Sequence, residues 1–529
     1  MTLEPPVNDV ARPAVLDDRS LLGHPRGLGL LFVVEMWERF SYYGMRAILV
    51  PYLVQAAAFR TADANNLYGT YTSLVYLTPL VGGYLADRVI GTRRSLVLGG
   101  GVIALGHFAL ALPGMAAFYS GLGLIIAGTG FFKPNAAAMV GQMYRPGDAR
   151  RDSGFTIYYM GVNAGAFLGP LVVGFLAESP GFGWHWGFAA AGIGMVIGLI
   201  VYLWGRDRYL PGIGVHLPAA RAAGEAHPQS HERTVPHAAA GGAVGLAVAW
   251  LAAGAAILPL VMGATIGAAV AVTVLGTHGD ERKRVLAIFL AAFFVVFFWA
   301  AYEQAGSSMN LFAFRNTALP HLLAWLPVES LRSWRMPASW FQSFNPVLIL
   351  VFAPAFAALW SALGRRGREP STATKMVLGL ALLGIGFVFM AAGGRRADGG
   401  VLVSPMWLVL AYAFHTWGEL CLSPVGLSYV SRMAPARYAA LLMGAWYLAN
   451  AAANKIAGAL AALTPAPGET RPVSAGGLAG FLQGASSSYF GFFSIFVVTS
   501  LSAAAVMLLF VPLLNRLAGT ARTPSVRAP

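Results

Sequence analysis

Apolar blocks about twenty residues long recur along the chain, separated by short polar stretches. Each can cross a hydrocarbon core of about 30 Å as a helix rising about 1.5 Å per residue. The pattern predicts fourteen spans, at 27–53, 66–87, 95–113, 115–141, 153–177, 184–205, 238–255, 257–276, 284–305, 338–364, 373–393, 404–431, 438–464 and 488–514. Several exceed 25 residues, which suits a tilted helix or one that emerges from the bilayer. The stretch 238–276 is one run of Ala, Gly, Val and Leu, divided near Pro259.

The first block breaks its own pattern. It carries "EMWERFSYYGMR", Glu35 to Arg46, between "GLGLLFVV" and "AILVPYLV". Each of its four charges costs roughly 2.5–3.5 kcal/mol at the centre of a lipid-embedded helix. On a helix, Glu35, Glu38, Arg39, Tyr42, Tyr43 and Arg46 fall within an arc of roughly 140°. Met36, Trp37, Phe40 and Met45 mostly occupy the remainder. Such a face must look into a protein interior or a water-filled cavity. A single pair could be structural, but a three-turn stripe with two tyrosines exceeds what one bridge needs.

Other blocks contribute intramembrane charge: Lys133 in "GTGFFKPN", Glu303 in "FWAAYEQAG" and Glu419 in "FHTWGELCLSP". Helix rise places Lys133 in the same half of the membrane as Glu35 and Glu38, so it can meet Glu35, Glu38 or Arg39. Arg46 and Glu303 lie at outer ends and form a candidate pair. Glu419 is near mid-membrane, level with Lys133 and the tyrosines. A carboxylate beside Arg or Lys can change partner when protonated or when a substrate arrives, which is the machinery of proton coupling. Cations in one bundle and a Glu in the other also suit a zwitterion.

Composition fits this picture. The 529 residues are 57% hydrophobic and 11% charged, against roughly 25% charged in soluble proteins. The chain is therefore expected to be a polytopic, all-α integral membrane protein. Lys and Arg concentrate in alternate loops, "DRVIGTRR", "YRPGDARR", "DERKR" and "GRRGRE", which puts both termini in the cytoplasm. Arg60, Arg395, Arg396 and the segment 306–337 are minority positives on the other side. The formal charge of +14 is then mainly a topology signal with some attraction to anionic lipid, and no nucleic-acid partner is expected. Cys421 is the only cysteine, so no intramolecular disulfide forms. Residues 1–20 lack the apolar core of a signal peptide. No HExxH, GxSxG or CxxC occurs, so hydrolase and zinc chemistry have no support, and neither enzyme activity, metal nor cofactor is expected.

The expected organisation is a tail at 1–26, a six-helix bundle at 27–206, a linker with two additional helices at 207–280, a second six-helix bundle at 281–515 and a tail at 516–529. Both tails and the linker read as cytoplasmic. The two additional spans are free of charge and suit peripheral packing. A 6+2+6 arrangement implies two bundles around a central cavity, the major facilitator fold. "GGYLADRVIGTRR", Gly82–Arg94, resembles the cytoplasmic motif of that superfamily, in which Asp87, Arg88, Arg93 and Arg94 can form a state-dependent charge network. Charge pairs that exchange partners across bundles fit alternating access better than a channel or receptor.

"ExxERFxYYG" at Glu35–Gly44 and "FTIYYMGVNAGA" at Phe155–Ala166 resemble signatures of the proton-dependent oligopeptide transporter family. "GFFKPN", "FQSFNP", "GELCLSP" and "GAWYLAN" resemble its fourth, eighth, tenth and eleventh core helices, and the two central helices resemble those of bacterial members. The resemblance implies proton-driven symport of di- and tripeptides into the cell, in the inner membrane, by a monomer whose partners are small peptides, protons and lipid. Nitrate or a peptide-like drug is the alternative cargo, because plant relatives vary their solute. It also implies roles. Glu35, Glu38, Arg39 and Lys133 would couple protons. Arg39, Lys133 and Tyr43 would receive the peptide carboxylate. Asn163, Asn345 and Glu419 would hold the ammonium. Tyr42, Tyr76, Tyr159 and Trp446 would line the pocket, and Ser423 would also bind substrate. Arg46 with Glu303 would close the outer gate, and Lys133 with Glu419 the inner one.

Two departures stand out. The span 66–87 has no His, whereas animal members carry one on the second helix, so coupling would run through carboxylates. "AGSSMNLF" after Glu303 lacks the acidic residue some relatives have, so an outer ion pair must use Glu303 alone. Elsewhere, His107 and His415 read as structural hydrogen bonders, Lys455 as a snorkelling residue, and Asp152 with Arg150 and Arg151 as a helix-start cluster.

Overall fold

The computed structural model describes residues 14–145, 147–215, 231–322, 324–325, 329–466, 468 and 476–519. Fourteen long helices follow one another: α1 (Arg26–Gln55), α2 (Thr61–Leu85), α3 (Thr92–Leu110), α4 (Met115–Gln142), α5 (Arg150–Glu178), α6 (Trp184–Tyr209), α7 (His231–Ala253), α8 (Ile257–Leu275), α9 (Gly279–Tyr302), α10 (Phe344–Arg365), α11 (Thr372–Ala397), α12 (Met406–Met433), α13 (Ala439–Ala461) and α14 (Tyr489–Gly519). Their order is that of the apolar blocks. Among the described residues, nine helical segments are apolar enough by length and composition to cross a membrane. The charged α1 is not one of them, since its Glu and Arg side chains lower its hydropathy.

Helix ends depart from the sequence pattern where polar turns continue a helix past its apolar part. α2 starts at Thr61 rather than near 66, and α7 at His231 rather than near 238. α9 ends at Tyr302, turns as a 3₁₀ helix over Glu303–Gly306 and restarts as a short helix, Ser308–Asn316. The block expected from 338 begins with a 3₁₀ turn, Ala338–Ser343, before α10. The first half of the N-terminal tail (1–13), linker residues 216–230 and the end of the C-terminal tail (520–529) lie outside the described residues.

By contact the chain divides into two units, Met1–Met45 with Thr78–Ala226, and Arg46–Leu77 with His227–Pro529. In the first unit, Leu28, Leu31 and Val34 of α1 share a core with Phe132 and Met139 of α4 and Met195 and Tyr202 of α6. Arg93 of the Gly82–Arg94 motif donates to Ile213 O at 2.6 Å and to Asp207 at 3.0 Å, and also reaches Leu210 O. It thereby covers carbonyls left open beyond the end of α6. Asp87 and Arg88 of the same motif are exposed. The chain ahead of α1 is clasped to the α4–α5 loop by Arg145–Asp17 at 2.7 Å and His24–Tyr144 at 2.9 Å. At the start of α5, Arg150 pairs with Asp148 of that loop at 2.7 Å, not with Asp152, and its hydrogen bonds hold the Asp148 carboxyl down at about 2.

In the second unit, aromatic side chains of α9, α11 and α14 form the core, with Phe387 stacked on Phe496 at 4.9 Å. The first part of α2 belongs here because it is laced to α13. Asn65 donates to Ala461 O at 3.0 Å and Ser73 to Ala451 O at 2.8 Å. Lys455, expected to snorkel, instead donates to Thr70 at 2.8 Å, since α2 offers a hydroxyl at that level. Between these bonds Gly69 faces Gly458, and a Cβ on Gly69 would lie 2.5 Å from the Gly458 Cα. Gly69→Val is expected to cost about 1–3 kcal/mol through overpacking. Thermal melting in detergent should fall by several degrees, and an unchanged melt would show that the two backbones do not approach this closely.

No residue in the most apolar window of α7 is buried.

Candidate functional site

In the first unit the stripe on α1 is closed within the protein. Glu35 is 3% exposed, Glu38 1% and Arg39 5%. One turn of helix separates Glu35 from Arg39, so Arg39 Nε donates to Glu35 Oε1 at 2.9 Å. The same Nε lies 2.6 Å from Glu38 Oε2, which is not aligned for a hydrogen bond. Tyr158 of α5 donates its hydroxyl to the other Glu35 oxygen at 2.5 Å. The charge of Lys133, half-buried on α4, acts on Glu38.

Arg39 Nη2 is buried with no hydrogen-bond partner among the described residues. An unsatisfied buried donor is costly, about 1–3 kcal/mol and more when charged. The guanidinium is thus anchored at Nε and open at one terminal nitrogen. Its Cζ sits 5.6 Å from the centre of the Tyr42 ring, and Tyr42 meets Tyr43 edge-on at 5.1 Å.

α5 supplies the remaining predicted residues of this unit. Asn163 is buried and its amide donates to Tyr159 O at 3.0 Å within the helix. Tyr159 itself is 44% exposed. α5 runs against α1 through Gly161, Gly165 and Gly169, where added Cβ atoms would fall 2.8, 2.1 and 2.5 Å from the carbonyl oxygens of Phe32, Met36 and Phe40. That close approach lets Tyr158 reach Glu35. His107, read as structural, bonds Ser41 of α1 at 2.8 Å.

The second unit holds two polar groups that share a hinge of chain. Glu419 on α12 accepts from Tyr302 at 2.5 Å and from Asn345 at 2.9 Å, while Asn345 also donates to Thr416 at 3.0 Å. Arg46 pairs with Glu303, the next residue after Tyr302, and donates to the Tyr68 hydroxyl. Arg46 and Glu303 are both buried. α9 ends between these two residues, so neighbouring side chains serve separate groups. Past Glu303, where no acid was found, Asn310 donates to Ala47 O at 2.7 Å. Trp446 is buried on α13 against Gly426, whereas Tyr76 and Ser423 are half-buried. His415 packs on Phe387, ring centres 4.6 Å apart. Lys133 and Glu419 belong to different units.

Sequence reasoning missed Tyr158, Tyr302, Tyr68 and Thr416. Tyr158 and Tyr302 sit directly beside residues that were singled out, Tyr159 and Glu303, but adjacency along a helix does not say which neighbour faces a charge.

A family model described as "PTR2: POT family" matches residues 93–475. This chain belongs to the POT family. It is 39% identical over 470 residues to the uncharacterized transporter YclF of Bacillus subtilis, covering 84% of this chain and 89% of that one. It is 35% identical over 490 residues to a di-/tripeptide transporter of Lactococcus lactis, covering 88% and 95%. Among solved structures it resembles a peptide transporter POT in complex with sulfate, with a TM-score of 0.76, 34% identity and coverage of 97% and 99%. A mutant of that transporter has been solved with alafosfalin, at a TM-score of 0.76 and 35% identity over 97% of this chain and 99% of that one. The POT-family chain described here is therefore a multi-pass membrane transporter with the major facilitator fold, not an enzyme.

Proposed function

We propose that this POT-family protein is a proton-coupled symporter that brings di- and tripeptides into the cell by alternating access. The buried Arg39 carries the reading: it is anchored on Glu35 and Glu38 and keeps a terminal nitrogen open. That is a receptor for an anionic group whose arrival competes with the carboxylates for one guanidinium. Protonation of a carboxylate loosens its hold on Arg39, and a peptide carboxylate takes its place, so proton and substrate bind together. Lys133 adds positive charge and Tyr43 a hydroxyl to the same group. Glu419 and Asn345, with Asn163, take the ammonium, and Tyr42, Tyr76, Tyr159, Ser423 and Trp446 contact the backbone and side chains. Arg46 with Glu303 is the outer gate. The relatives named as peptide transporters support this cargo. The arginine- and lysine-rich loops support cytoplasmic termini, and inward symport of this kind belongs to the inner membrane. The proton gradient supplies the driving force, and the monomer is the working unit.

Competition for labelled dialanine uptake tests the cargo. Unlabelled di- and tripeptides are expected to compete, and free amino acids and nitrate are not. Competition by nitrate at equal concentration would move the protein to the other solute class.

A further inference from the structure

We infer that Tyr158 is a positioning residue of the proton-coupling group: its hydroxyl fixes Glu35, and through Glu35 it fixes the guanidinium of Arg39. The inference deepens the proposed function and rests on that reading.

Three observations carry it. Tyr158 is the second donor on Glu35, 2.5 Å from one oxygen while Arg39 Nε is 2.9 Å from the other. Both Glu35 oxygens are engaged and the carboxylate cannot rotate without breaking one bond. The contact comes from a different helix. Glu35, Glu38 and Arg39 share α1 and move with it, whereas Tyr158 reports the position of α5. The glycine stripe of α5 holds that helix close against α1, with a Cβ on Gly165 falling 2.1 Å from Met36 O, so the hydroxyl meets the carboxylate at a defined place. Tyr158 is also itself buried, 8% exposed.

The consequence is a division of labour between the two acids. Glu35 is held by two donors from two helices. Glu38 has one unaligned contact with Arg39 and the field of Lys133. Glu35 therefore serves as the fixed anchor of Arg39, and Glu38 is the acid able to change state. The charged and titratable groups facing this cluster are Glu35, Glu38, Arg39 and Tyr43 on α1, Lys133 on α4 and Tyr158 on α5.

Tyr158→Phe removes the hydroxyl and keeps the ring. Dialanine binding to the purified full-length protein would be followed across pH for wild type, Tyr158→Phe, Glu35→Gln and the double variant. A hydrogen bond to a charged group corresponds to roughly one to two pH units. Tyr158→Phe is expected to move the midpoint of binding by about one unit, with thermal melting unchanged within a few degrees. In the Glu35→Gln background the same change should move it no further, because the hydroxyl acts through Glu35. A Tyr158→Phe profile that overlays wild type overturns the inference, and so does an equal shift in both backgrounds. Absence of dialanine binding in the wild type is a different failure, that of the peptide reading itself.

Discussion

Arg39→Lys is expected to abolish proton-driven peptide uptake to within about a hundredth of wild type, the largest single effect in this protein. Lysine keeps the charge, so charge alone is not what is lost. Arg39 uses Nε on Glu35 at 2.9 Å and beside Glu38 at 2.6 Å, and leaves Nη2 for an incoming group. An ammonium is a point charge on a flexible stem and cannot hold two anchors and an acceptor in fixed directions. Losing one charge-assisted hydrogen bond and freeing one buried carboxylate costs about 3 kcal/mol or more, and about 1.4 kcal/mol is tenfold in rate. Initial uptake rates in liposomes, normalised to reconstituted protein, measure it. A lysine variant within threefold of wild type would mean that the fork geometry has no role.

The second large effect belongs to Glu419. Glu419→Gln preserves size and an oxygen for Tyr302 and Asn345, which donate at 2.5 and 2.9 Å, but removes the negative charge. If Glu419 holds the substrate ammonium, KM for dialanine rises by roughly tenfold to a hundredfold, the worth of a charge-assisted hydrogen bond. N-acetylated dialanine, which has no ammonium, should be affected no more than about twofold by the same substitution. Equal loss for both peptides would assign Glu419 to the architecture of α12 rather than to the substrate.

Much of this was legible along the chain, and the limits have physical causes. The helices were readable because lipid favours largely apolar spans of a given length, and the fourteen blocks reappear as fourteen long helices among the described residues. The stripe Glu35, Glu38, Arg39 was readable because charge in lipid is costly and helical spacing puts these residues on one face. Contacts between distant helices were not. Nothing in "TIYYMG" says that Tyr158 rather than Tyr159 faces Glu35, since the choice depends on the rotation of α5 fixed by its glycines. Lys455 read as a snorkelling cation because its partner Thr70 lies 385 positions away. The pair Arg46 and Glu303 was found from depth alone, but Tyr68, which shares Arg46, was not, because a tyrosine in an apolar helix carries no signal of its own.

Tyr302 and Glu303 are consecutive, yet one serves Glu419 and the other Arg46, because α9 breaks into a 3₁₀ turn between them. On the proposed reading, a substrate held by Glu419 would pull at the helix end that carries Glu303 and its partner Arg46.

The central claim is that the buried α1 carboxylates and Arg39 convert a proton gradient into peptide uptake. Its most direct test is uptake of labelled dialanine by proteoliposomes under an inward proton gradient, with and without a protonophore, alongside a counterflow assay with no gradient. Concentrative uptake that collapses with the protonophore while counterflow persists is the predicted result. Uptake that is indifferent to the protonophore, or dialanine exchange absent in counterflow, would contradict the claim.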